Sequence, residues 1–224
     1  MGVTQPPWSP SDAEAQQEVP MTEAVRVPRV LAMAGSLRKD SYNKKLIKVG
    51  AEALRRAGAE VDLLELNDVA MPPYDGDLED ASGLPPGAAA FKRRLAWADG
   101  FLISSPEYNY SIPGTFKNAI DWASRGEEDV FKGKIAALMA ASPGGAGGMR
   151  MLPHLRQVLT ALDVWLVPSQ VTVAKADDAF QPDGSLASAH TAKQIQALVD
   201  SLVKELEMRL RASLHVTLFP EAAP

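Results

Sequence analysis

The chain has 224 residues, 46% of them hydrophobic, and a formal net charge of −5. That is enough apolar content for one core of moderate size, with a charge balance that argues against nucleic acid as a partner. The absence of cysteine excludes disulfide scaffolds, thiolate metal sites, iron–sulfur clusters and a cysteine nucleophile together, and no apolar run approaches the roughly 18 residues needed to span a bilayer.

Residues 1–24 carry Asp12, Glu14, Glu18 and Glu23, no Lys or Arg, and four prolines. This is the reverse of a secretory leader and the composition of a disordered tail, so a cytoplasmic protein is expected. The folded domain is expected over 25–213, with a short second tail at 214–224. From Pro28 onward, short apolar runs alternate with amphipathic stretches. The pattern predicts a strand over 30–34, a helix over 43–57 that Gly58 ends, and a strand over 61–64. A Pro-rich loop over 67–87 follows, then a helix over 88–98, a strand over 100–104 and a helix over 113–124 with Pro113 at its start. A strand over 135–141, a helix over 149–162, a strand over 164–173 and a closing helix over 191–213 complete the chain.

Apolar strands alternating with helices predict an α/β fold: a parallel sheet with helices on both faces. Pro168 cannot donate to a sheet ladder, which places the fifth strand at an edge. Five strands with the last at an edge fit the doubly wound order 2-1-3-4-5, where ligands lie beyond the C-terminal ends of strands one, three and four.

The loops expected there have unlike chemistry. The first, "GSLRKDSYN" over 35–43, opens a helix whose unpaired N–H groups and partial positive charge attract a phosphate. Ser36, Ser41 and Asn43 can add side-chain bonds, and Arg38 a charge-assisted one. The bland reading of the same residues is a helix cap beside a surface arginine. The third strand runs into "SPEYNYSIPG" (105–114), polar and aromatic, and the fourth into "SPGGAGG" (142–148), whose bare backbone can approach something flat. Together they suggest a nucleotide-like ligand with a planar ring.

The motifs "GSLRKDSYN", "SPEYNYSIPGTFKNAIDW" and "SPGGAGG", in this order and spacing over about 28–175, resemble those of the NADPH-dependent FMN reductases. These are flavodoxin-like proteins that include quinone, azo-dye and chromate reductases. The resemblance implies FMN as cofactor, and a single phosphate needs neither a Walker lysine nor several glycines. It implies that Ser36, Arg38, Ser41 and Asn43 bind that phosphate. Pro106, Glu107, Tyr108 and Asn109 would line the isoalloxazine, and Ser142, Gly144 and Gly145 its pyrimidine edge. It also implies a homodimer or homotetramer. The helix from Thr115 to Trp122 would lie at the interface, although Phe116, Ile120 and Trp122 serve a core equally well. Tyr74 and Asp75 would approach the neighbouring subunit's flavin, against the plainer reading of turn formers.

No residue is marked as acid, base, nucleophile or metal ligand. His154, His190 and His215 are widely spaced and read as surface or helix residues. That suits a flavoenzyme, where the cofactor carries the chemistry. The expected activity is an FMN-dependent oxidoreductase that takes hydride from NADPH or NADH. It would reduce a small acceptor: a quinone, an azo compound, a metal oxyanion or free flavin. Arg38 and Arg125 are both placed to meet a 2′-phosphate. A flavodoxin-type electron carrier with a protein partner is the alternative on the same fold.

Overall fold

Strand β1, Arg29–Ala34, lies second from one edge of a five-stranded sheet of order β2-β1-β3-β4-β5 in the computed structural model, which describes residues 26–218 and their side chains to residue 213. The tail expected over 1–24 lies outside the described residues. The other strands are β2 (Glu60–Leu64), β3 (Gly100–Ser104), β4 (Ile135–Ala141) and β5 (Trp165–Val173). All pairs are parallel. Every residue of β3 and β4 is buried, as sheet strands covered on both faces require.

Helices α1 (Tyr42–Arg56) and α6 (Ala189–Leu218) cover one face. Leu46, Ile47 and Leu54 of α1 and Leu198, Val199 and Leu202 of α6 share one core with Val30, Leu102 and Met139. Helices α3 (Pro86–Trp97), α4 (Gly114–Ala123) and α5 (Met151–Ala161) cover the other. There Phe91, Phe116, Ile120 and Leu155 pack with Leu31, Phe101 and Leu138. Each such buried side chain contributes roughly 1.5–3 kcal/mol through removal from water.

Local rules set the boundaries. Ser41 caps α1 by accepting from Asn43 N–H at 3.2 Å, and Gly58 follows its end at φ +87, a left-handed conformation glycine adopts freely. Pro168 sits in an edge strand, as expected, where the β4–β5 register breaks: Ala136 pairs with Leu166, but Leu138 with Gln170. The loop expected over 67–87 is partly ordered instead. It holds a 3-10 turn at Leu66–Val69 and helix α2 at Gly76–Ser82, which buries none of its residues. An exposed helix has no apolar periodicity to reveal it. Helix α6 runs past its expected end at 213, to Leu218.

Candidate active site

The C-terminal ends of β3 and β4 meet at one side chain, carried by the helix that follows β1. Asn43, in the first turn of α1 and only 2% exposed, donates from Nδ2 to the Ala141 carbonyl at 2.9 Å. Its Oδ1 accepts from Ala141 N–H and from the Ser104 hydroxyl, both at 2.9 Å. The phosphate-loop helix is thereby tied to the last residues of β3 and β4. The amide of Asn43 is committed to the chain and not turned toward solvent. The approach of Gly35 to β3 adds to this join. Gly35 N–H donates to Ser104 O at 2.9 Å, and a Cβ on Gly35 would meet Ser105 Oγ at 2.6 Å and Phe116 Cδ1 at 2.9 Å.

Around this join the first loop presents donors. Ser36 and Ser41 are buried at 2% and 6% exposure. Ser36 Oγ accepts from Arg38 N–H at 3.3 Å, which folds the loop back on itself. Helix α1 has no acidic residue in its first turn, so its N-terminal partial charge is unopposed there. Lys44 is turned away, paired with Glu65 at 2.5 Å and donating to Asn67 at 2.9 Å. Arg38 is exposed, and among the described residues its guanidinium has no partner. Two hydroxyls, a helix N-terminus and an uncommitted arginine form a donor set suited to a phosphate dianion. A 180 Å³ cavity bounded by Leu37, Met71, Thr115 and Asn118 adjoins the loop.

The second loop is a tight hairpin. Tyr108 and Ser111 exchange both backbone hydrogen bonds at 3.0 Å, and the two residues between them, Asn109 and Tyr110, have φ of 49 and 64. This is the positive-φ pair of a primed two-residue turn. Tyr108 and Tyr110 are left 45% and 62% exposed. Glu107 is oriented differently from its neighbours: its carboxylate accepts from the backbone at the start of α5, from Arg150 N–H at 2.8 Å.

The third loop exposes backbone. Ser142 Oγ accepts from Gly144 N–H at 3.2 Å, and a Cβ on Gly145 would meet nothing within 4 Å. Open space beyond bare backbone suits the edge of a flat heterocycle. Gly148, at φ +83, lies against Ala140, whose Cβ would be 3.0 Å from an added Cβ.

The residues expected from sequence therefore follow the C-terminal ends of β1, β3 and β4, with the side chains of Asn43 and Glu107 engaged within the chain. Phe116, Ile120 and Trp122 are buried at 2% exposure or less. They belong to the core, and the Trp122 indole donates to Pro72 O at 2.8 Å. Tyr74 packs edge-on against Trp122 with ring centroids 5.0 Å apart, and Asp75 caps α2. His154, read as a surface residue, places Nδ1 2.9 Å from Ser111 Oγ. That contact, like the bonds of Ser104 and Arg150, joins segments distant in the chain, and no local pattern announces it.

Residues 28–178 match the model of a family described as NADPH-dependent FMN reductase. An NAD(P)H-dependent FMN reductase of Pseudomonas aeruginosa is 39% identical over 175 residues, 78% of this chain and 92% of its own. An NAD(P)H:quinone oxidoreductase of Solanum tuberosum is 36% identical over 190 residues, covering 83% and 95%. Among solved structures, FerB, a flavoenzyme NAD(P)H:(acceptor) oxidoreductase from Paracoccus denitrificans, superposes with a TM-score of 0.70 at 35% identity over 81% of this chain and 98% of that one.

Proposed function

Because the chain belongs to the NADPH-dependent FMN reductase family and is an FMN-dependent NAD(P)H oxidoreductase, we propose that its acceptor is a quinone and that the three loops around Asn43 hold the flavin. The overall reaction is NAD(P)H plus a proton plus quinone giving NAD(P)⁺ plus quinol, a balanced two-electron exchange. FMN, when bound, would supply the two-electron redox chemistry between nicotinamide and quinone. The chain binds and orients.

In this reading Ser36, Ser41, Arg38 and the first N–H groups of α1 hold the phosphate. Asn43 fixes that loop to the strands. Pro106, Glu107, Tyr108 and Asn109 border one side of the ring, and Ser142, Gly144 and Gly145 its pyrimidine edge. Support comes above all from Arg38, whose guanidinium has no partner among the described residues, beside two buried serines at a helix N-terminus. The quinone assignment draws on the potato relative, a quinone reductase by name. The carrier alternative is left without comparable support. The exposed glycine loop and the exposed tyrosines of the hairpin leave the ring accessible to nicotinamide and acceptor in turn. A homodimer or homotetramer acting in the cytoplasm, where NAD(P)H is available, accords with this reading. No helix among the described residues is long and apolar enough to cross a membrane.

The test is a titration of the flavin-free protein with FMN, then anaerobic NADPH, then a quinone. We expect stoichiometric binding, loss of the visible flavin absorbance with NADPH, and its return with the quinone. Flavin that stays oxidised under both NADPH and NADH would defeat the assignment of donor and acceptor.

A further inference from the structure

Helix α5 does not cap itself. Arg150, at the cap position, is already helical at φ −74 and ψ −24, and its side chain makes no cap hydrogen bond. The cap comes from the hairpin side of the site. Glu107 Oε2 accepts from Arg150 N–H at 2.8 Å and Met151 N–H at 3.3 Å, while Oε1 pairs with the Arg150 guanidinium at 3.2 Å. The Glu107 side chain is only 11% exposed, whereas the Arg150 side chain it pairs with is 54% exposed. A carboxylate there also meets the positive end of the helix.

The same first turns of α5 grip the hairpin at two more points. The Arg150 guanidinium lies 4.5 Å from the centre of the Tyr110 ring, and His154 Nδ1 lies 2.9 Å from Ser111 Oγ. A hairpin turning through two non-glycine residues of positive φ persists only where its surroundings impose it. The glycine loop lies beside the same residue, since a Cβ on Gly148 would come into ordinary contact with Glu107 Cβ at 3.8 Å.

We propose that Glu107 is a positioning residue: acting through Arg150 and the start of α5, it holds the Tyr108–Ser111 hairpin in register with the glycine loop and so sets the width of the slot between them. It does not touch the reacting atoms. The functional consequence rests on the reading that this slot receives the flavin ring.

The experiment compares full-length wild type, Glu107→Gln and Glu107→Ala by backbone hydrogen exchange without flavin, by FMN affinity, and by the visible circular dichroism of bound flavin. Gln keeps an acceptor for the two N–H groups but loses the charge, so it should rescue in part. In Glu107→Ala we expect faster exchange confined to 107–112 and 144–151, unchanged protection in β3 and β4, and an altered flavin dichroism. FMN affinity should fall about tenfold as the hairpin and the glycine loop lose their fixed spacing. Exchange of the hairpin at the wild-type rate would overturn the proposal, as would loss of protection throughout the molecule in both variants. Wild-type protein without affinity for FMN would instead overturn the site reading, while the flavin-free exchange rates still decide whether Glu107 holds the hairpin.

Discussion

Asn43 and Arg38 stand five residues apart in the first loop and do opposite things. Asn43 turns inward, and its replacement by Ala leaves the Ser104 hydroxyl and both polar groups of Ala141 without their side-chain partner. Buried groups left unpaired cost about 1–3 kcal/mol each, partly relieved by water entering the gap. Asn43→Ala should therefore lose about 2–4 kcal/mol in denaturant unfolding and weaken FMN binding with it. Arg38 turns outward and supports nothing in the described fold. Arg38→Ala should melt at the wild-type temperature yet bind FMN roughly ten- to a hundredfold more weakly by flavin fluorescence, as one charge-assisted bond is worth. The sequence singled out both as expected phosphate ligands, whereas the Asn43 amide is taken up within the chain. Their division of labour was not legible there, because it depends on where Ala141 lies, far along the chain.

Elements follow their local signals where burial is periodic and depart from them where it is not. Helix α1 begins at its serine cap and stops before Gly58 as its sequence prescribes, and Pro168 marks the edge strand. Helix α3 shows what the sequence withheld. It starts at Pro86, earlier than the apolar pattern suggests, and its Gly87 passes close to the 3-10 turn. A Cβ there would lie 2.0 Å from Ala70 O and 2.8 Å from Ala70 C. Backbone cannot yield as a side-chain tip does. Gly87→Ala should cost about 1–3 kcal/mol through this overlap and lower the melting temperature by several degrees. A thermal scan that leaves it unchanged would mean the two segments part freely.

At the scale of the molecule, the sheet separates two ends with different tasks. The loops lie at the C-terminal end of the strands, and a polar clasp closes the N-terminal end. There Asp99 accepts from the Arg26 guanidinium at 2.6 Å through both oxygens, and from Arg29 N–H at 2.8 Å. Burial alone would raise the Asp99 carboxyl, but Arg26, the Arg29 N–H and the charge of Lys134 together hold it below its ordinary value of 3.8. A lowered folded-state value means that its stabilisation is fully present above that ordinary value and is lost as pH falls through the lower, folded one. Asp99→Asn should thus be less stable at neutral pH, by about 1 kcal/mol because Arg26 is half exposed and screened. The gap to wild type should close below about pH 4 in acid unfolding curves. An unchanged gap down to acid would assign the effect to packing. For assembly, light scattering at micromolar concentration should give a dimer or larger. The apolar positions of α4 are already buried in the chain's own core, so the contact would involve its polar face and the segment of Tyr74.

The sequence by itself determined the layered α/β architecture, the strand order and the positions of the loops that follow β1, β3 and β4. Burial period, caps and prolines act within a few residues, and their meaning does not wait on distant neighbours. Only the tertiary structure decided that Asn43 ties α1 to the ends of β3 and β4, that Glu107 serves α5, that Trp122 is core and that His154 meets Ser111. Each of these is a hydrogen bond or packing contact between segments tens of residues apart. Such contacts take their geometry from helices docked on a twisted sheet, and no spacing along the chain encodes them.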